Sequence, residues 1–134
     1  HWGMAYDGRT LFAPNADTIF LGTEEGEAKP GLFALDPATG AIRWFAPSPD
    51  VCPPERKPAC DPGLSPPPTA IDGAVLQGSF DGWLRAYDSA TGRVLWQYDT
   101  VRGYETVNGV PGTGGSLESA GPLVVDGHVL VNSG

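Results

Sequence analysis

The chain has few basic residues: eight Lys and Arg against 16 Asp and Glu leave a formal net charge of −8 over 134 residues. A surface of that sign repels a phosphate backbone, and no basic stripe offsets it, so nucleic acid is not an expected partner. No apolar run is long enough to cross a membrane as a helix, and no secretory leader or lipidation motif is visible. No stretch carries the 3.6-residue apolar period of an amphipathic helix, which removes coiled-coil and membrane-surface readings. Cysteine is limited to Cys52 and Cys60, whose spacing fits neither Cys-x-x-Cys zinc or redox sites nor haem attachment. The run Gly112-Thr113-Gly114-Gly115 lacks the Gly-Lys-Ser/Thr that would make it a phosphate loop.

What the chain has in quantity is punctuation, with 19 Gly and 14 Pro. Without a period, such a share would suggest disorder, but here much of it falls between apolar runs. The period is explicit. Leu32-Phe33-Ala34-Leu35-Asp36-Pro37-Ala38-Thr39-Gly40-Ala41-Ile42-Arg43-Trp44 recurs as Leu84-Arg85-Ala86-Tyr87-Asp88-Ser89-Ala90-Thr91-Gly92-Arg93-Val94-Leu95-Trp96, identical at seven of thirteen positions. A repeat of this length built from strand-turn-strand units is the signature of a β-propeller blade. Asp36 and Asp88 can accept backbone N–H groups just ahead of them, and Gly40 and Gly92 can take the positive φ that closes the turn. Apolar residues fall on both faces of the flanking strands, which suits a sheet packed between two neighbouring sheets.

A second echo places the other strands. Asp7-Gly8, Asp72-Gly73 and Asp126-Gly127 each separate two apolar runs, a strong hairpin signal. The expected fold is therefore all-β, with blades of four antiparallel strands: one at about residues 2–46, a second at about 67–99, and half of a third over 119–134. Propellers usually close with four to eight blades, so residues 1–134 are expected to be a partial propeller. A chain that begins at His1 and stops at Gly134 within a strand pattern fits that expectation.

Cys52 and Cys60 lie in a Pro-rich loop between blades. Either they form a disulfide stapling that loop, the reading favoured here, which implies an oxidising compartment, or they are two free thiols in a reducing one.

The Ala-x-Asp-x-x-Thr-Gly-x-x-x-Trp pattern at Ala34–Trp44 and Ala86–Trp96 resembles the tryptophan-docking repeat of the pyrroloquinoline quinone enzymes, the eight-bladed quinoprotein alcohol dehydrogenases. The stretches His1–Ala5, Gly78–Gly82, Thr106–Val110 and Gly114–Ser116 are similar to those of polyvinyl alcohol dehydrogenases. The resemblance implies oxidation of secondary or polymeric alcohols in the periplasm or outside the cell. It also implies pyrroloquinoline quinone and calcium bound near the axis, a haem c domain elsewhere in the parent protein, and an electron-accepting cytochrome as partner alongside the remaining blades. Several members also carry adjacent cysteines joined to each other in a ring over the quinone. Cys52 and Cys60 are not adjacent, and that feature does not carry over.

If the Asp-Gly and Asp-x-Ala-Thr-Gly turns share one face of the disc, the loops Thr23–Pro30, Pro47–Pro66, Ser79–Gly82 and Thr100–Ser119 share the other. Function in propellers tends to sit in such loops at one mouth of the channel. His1 and Trp2, Pro66 and Pro67, and Ser119 to Gly121 stand where innermost strands begin. The expected quinone-binding residues are Trp2, Asn108, Ser116 and Glu118, and the expected calcium ligands are Glu105, Asn108 and Glu118, whose oxygens suit a hard cation. The bland reading is a long polar connector. Trp44 and Trp96 are expected as packing anchors between blades, Trp83 as rim packing and His128 as solvated. Glu24, Glu25 and Glu27 read as a solubilising loop. The catalytic base is not assigned, and a quinone-free propeller used as a scaffold or sensor is the alternative function.

Overall fold

The computed structural model describes residues 2–17, 28–56 and 60–134. The acidic loop with Glu24, Glu25 and Glu27 and residue His1 lie outside them. Two four-stranded antiparallel sheets follow one another along the chain. The first runs β1 (Ala5–Tyr6), β2 (Leu11–Asn15), β3 (Gly31–Leu35), β4 (Ile42–Pro47), and the second β5 (Thr69–Ile71), β6 (Ala74–Gly78), β7 (Trp83–Asp88), β8 (Val94–Asp99), each in simple sequential order. Two hairpins complete the fold: β9 (Gly103–Glu105) with β10 (Pro111–Thr113), and β11 (Leu123–Val125) with β12 (His128–Leu130). Among the described residues the helical content is a single 3-10 turn at Pro54–Arg56. This is propeller-blade architecture.

The repeated residues form the same bonds twice. Asp36 Oδ1 accepts from the N–H groups of Ala38 (2.9 Å) and Thr39 (3.1 Å), and its carbonyl accepts from Gly40 (2.8 Å). Asp88 Oδ1 accepts from Ala90 (3.0 Å) and Thr91 (2.8 Å), and its carbonyl from Gly92 (2.9 Å). Gly40 and Gly92 sit at φ 72° and 74°, where a Cβ would be strained. Each turn is entered through a bulge, at Ala34/Leu35 and at Ala86/Tyr87. Seven kept residues thus encode one bulge, one turn and one tryptophan.

That tryptophan crosses between sheets. Trp44, on the first sheet, donates its indole N–H to the Ser89 carbonyl of the second sheet's turn at 3.1 Å. Its ring lies so close to Gly92 that a Cβ there would sit 2.7 Å from a ring carbon. Phe12, Leu32, Ala34 and Ala46 from the first sheet pack with Val75 and Tyr87 from the second, and the linker residue Leu64 is buried among them. The seam between the sheets is therefore the core. Trp96 holds the matching slot on β8 but is 48% exposed, because the sequence contains no third Asp-x-Ala-Thr-Gly turn for it to meet. Trp83 is half-buried, with the Arg85 guanidinium 5.5 Å from its ring centre. His128 is exposed.

The linker is fastened at several points. Cys52 and Cys60 are bonded, with Cα atoms 5.6 Å apart. From within that loop Arg56 Nη2 donates to the Asp81 carbonyl at 3.1 Å, and the Phe80 N–H donates to the Gly63 carbonyl at 2.9 Å.

Replacing Trp44 by Ala in the full-length protein removes a ring, a hydrogen bond and the partner of Gly92, and is expected to cost about 3 kcal/mol. Trp83→Ala is expected to cost less than half of that. Equal losses in urea melts would contradict the assignment of Trp44 as the seam anchor. A second test concerns Asp36, whose carboxyl is lowered to about 2, chiefly by the Arg43 guanidinium at 2.8 Å and then by the turn N–H groups. A folded pKa below the unfolded value means that the carboxylate stabilises the turn above about pH 4 and loses that effect as pH falls toward 2. Arg43→Ala is expected to raise the Asp36 pKa, read by NMR titration of the carboxyl. An unchanged midpoint would remove Arg43 as the cause.

Candidate functional site

The starts of three inner strands converge. Trp2 donates its backbone N–H to the Ser65 carbonyl at 2.9 Å, and Gly3 lies against the Pro67 ring. On the other side of Pro67, Gly121 approaches so closely that a Cβ would collide with the Pro67 carbonyl. The Thr69 hydroxyl donates to the Pro122 carbonyl. Residues 2–3, 65–67 and 121–122 thus form one end of the inner-strand wall. Trp2 is 66% exposed there, its indole uncovered by the described residues.

The segment after β8 overhangs this end. Thr100 Oγ1 is within hydrogen-bond distance of the Gly82 carbonyl (2.8 Å) and the Gly115 carbonyl (3.1 Å). Leu117 is buried against Gly78 and donates its N–H to the Ser79 carbonyl at 3.1 Å. The Ser133 hydroxyl accepts from the Gly115 N–H at 2.9 Å, and the Gly134 N–H donates to the Ser116 carbonyl at 3.1 Å. Gly114 passes so near the Thr100 carbonyl that no side chain would fit. The glycines here allow backbone to meet backbone. Leu117 anchors the segment, which leaves its neighbour Glu118 exposed beside the inner-strand starts.

The long connector is not structureless. Its outer part is the β9–β10 hairpin, held by Arg102, whose guanidinium lies 5.7 Å from the Tyr98 ring centre and 5.8 Å from that of Tyr104. Glu105 ends β9 and is exposed. Asn108 lies in the hairpin turn, where its side-chain oxygen accepts from the Val110 N–H at 3.3 Å and is bonded to the Thr106 hydroxyl. Ser116 is half-buried at the base of the segment. Hence Ser116 and Glu118 lie together at the base, whereas Glu105 and Asn108 lie out on the hairpin. Among the described residues no three His, Cys, Asp or Glu side chains gather as a metal-holding group.

A buried polar network lies behind the Ser79–Gly82 turn, and the sequence reading passed over it. Arg85 Nη1 donates to Ser79 Oγ at 2.9 Å and Nη2 to Asp81 Oδ2 at 3.2 Å, while Ser79 and Asp81 bond to each other and Asp81 Oδ1 accepts from the Trp83 N–H at 3.0 Å. The ion pair is essentially without solvent contact, with side chains 1% and 0% exposed. Beside it, burial pushes the Tyr87 hydroxyl up to about 12, opposed by Arg85. One signal could have found the network: Arg85 stands where the first copy of the repeat has Phe33, four residues after an aspartate.

The opposite, hairpin-turn face carries an open cleft of about 550 Å³ between the sheets, lined by Tyr6, Asp7, Arg9, Ile71, Asp72 and Ser89. The Asp7 carboxylate there is occupied by the Arg9 and Thr10 N–H groups at 2.8 and 2.7 Å, which is turn chemistry.

Comparison with known proteins bears on the family and the fold. Polyvinylalcohol dehydrogenase from a Pseudomonas species is 37% identical over 134 residues, covering 99% of this chain and 20% of its own length. The enzyme of the same name from Sphingopyxis sp. (strain 113P3) is 36% identical over 135 residues, with the same coverage of 99% and 20%. The chain thus spans about one fifth of the length of these relatives. Among solved structures, the quinohemoprotein alcohol dehydrogenase from Comamonas testosteroni superposes with a TM-score of 0.62 at 23% identity, over 100% of this chain and 17% of that one. BamB from Moraxella catarrhalis superposes with a TM-score of 0.58 at 22% identity, over 97% of this chain and 29% of that one. The family profile of the PQQ_2 group, described as outer membrane protein assembly factor BamB, matches residues 1–134, and with the doubled turn and its crossing tryptophan this places the chain in that family of β-propellers.

Proposed function

We propose that the chain is a sector of a pyrroloquinoline quinone-dependent alcohol dehydrogenase acting on secondary or polymeric alcohols, in the periplasm or outside the cell. The observation that carries this reading is 36–37% identity to two polyvinylalcohol dehydrogenases across 99% of the chain. The bonded Cys52–Cys60 pair supports an oxidising compartment.

The residues at the inner-strand end fit such a group in their chemistry. Trp2 offers an exposed, flat apolar ring, and Ser116 offers a hydroxyl at the base of the overhanging segment. At this end Glu118 carries the carboxylate oxygens that calcium takes, while Glu105 and Asn108, out on the hairpin, offer the same donor type at a distance from it. When bound, the quinone supplies the hydride acceptor for alcohol oxidation. In this reading Trp2 orients the flat cofactor, Glu118 contributes negative charge toward the metal, and the packed Leu117 and Gly114–Gly115 backbone excludes water beneath them. The other ligands and the remaining blades come from the rest of the parent protein, as do any haem c and the contact with an electron-accepting cytochrome.

The BamB resemblance favours a second reading, a quinone-free propeller that binds other proteins. Titration of the full-length protein with quinone and calcium separates the two: saturable binding and dye-linked alcohol oxidation support the dehydrogenase, and neither occurring would sink it. With binding in hand, Trp2→Ala and Glu118→Gln are each expected to weaken quinone or calcium binding about tenfold, equivalent to about 1.4 kcal/mol. Both should change stability by less than about 1 kcal/mol, as for exposed positions. Unchanged titrations in both variants would move the site away from this segment. The 134-residue piece alone is expected to show no alcohol oxidation, since a two-sheet sector supplies part of a ligand shell.

A further inference from the structure

Four buried side-chain polar atoms among the described residues have no hydrogen-bond partner in the protein: Ser48 Oγ, Gln77 Oε1, Arg85 Nε and Tyr87 OH. Three of them belong to one patch. Gln77 on β6 stands opposite Arg85 on β7, and Tyr87 lies two residues further along β7, so the three side chains leave the sheet on the same face. That face is the seam, where Tyr87 packs with Phe12, Leu32 and Leu64. Each of the three residues is only 1% exposed.

The orientations of Gln77 and Arg85 are fixed by what they already bond. Gln77 Nε2 donates to the Pro66 carbonyl at 2.8 Å and the Gly78 carbonyl at 2.7 Å. Turning the amide over would set its oxygen against two carbonyl oxygens, so Oε1 faces away from both. Arg85 spends one Nη on Ser79 and the other on Asp81, which leaves the Nε–H. The Tyr87 hydroxyl stays protonated throughout the physiological range and can both donate and accept. The patch thus presents one acceptor, one donor and one group of either kind. Asp81 already balances the charge of Arg85, so an added anion would be an uncompensated buried charge, and a cation would face the guanidinium. The group that matches is small, neutral and able to donate and accept at once.

We propose that a single structural water molecule is bound in the seam, accepting from Arg85 Nε, donating to Gln77 Oε1 and hydrogen-bonded to the Tyr87 hydroxyl. Gln77 grips the Pro66 carbonyl with its other end, so the water ties the apolar seam to the inner-strand wall beneath Trp2. A high-resolution crystal structure of the full-length protein, with a second crystal soaked in bromide, tests this. One density peak within hydrogen-bond distance of all three atoms, without anomalous signal, is the expected result. A bromide signal would make the site an anion site, and side chains turned to bond one another with no peak between them would abolish it. In solution, Gln77→Met and Tyr87→Phe each lower the urea midpoint, and together they lower it by less than the sum, since either change strips the water of a partner. Strictly additive shifts would overturn the proposal.

Discussion

Trp44 reaches across to the neighbouring turn because neither four-stranded sheet can bury both of its faces by itself. The first sheet turns Phe12, Leu32, Ala34 and Ala46 toward the second, which answers with Val75 and Tyr87. The turn at Asp88–Gly92 must be held in one shape for the indole to find the Ser89 carbonyl, and the Asp88 carboxylate does this by taking up two of its N–H groups. A Cβ at Gly92 would close the slot from the other side. The local turn and the long-range seam are therefore one device, which explains why the same few residues recur in both copies.

The far end of the seam is polar where the near end is apolar. Arg85 replaces the aromatic residue of the first copy and brings Ser79 and Asp81 into a buried network. Arg56 then reaches from the disulfide loop to the carbonyl of Asp81. The Ser79–Gly82 turn is thus fixed from below by Arg85 and from the side by the linker. The overhanging segment rests on that turn through Leu117 and Thr100. Residues that carry no ligand chemistry hold in place those that are proposed to carry it.

The two full sheets were legible because turns and packing anchors are written locally, as Asp-Gly, Asp-x-Ala-Thr-Gly and a tryptophan at fixed spacing. The Cys52–Cys60 bond was legible as the favoured of two readings, from a short Pro-rich loop. The β9–β10 hairpin was not, since Gly-Tyr-Glu and Pro-Gly-Thr are too short and too mixed to show alternation. The exposure of Trp96 could not be read from its own slot, because the residues that would cover it belong to a turn elsewhere. At the candidate site, the convergence of Trp2, Pro67 and Gly121 follows from topology and was anticipated. The use of the Asn108 oxygen by its own turn depends on a hydroxyl two residues away and was not.

The joint between the two repeats sets the tryptophan late in the first unit into the turn that stands a few residues before the matching tryptophan of the second, so plug and socket are written on the same stretch of the repeat. Such units join head to tail, and copying one in a gene copies both halves of its joint. A ring of blades can gain or lose members without inventing a new contact surface.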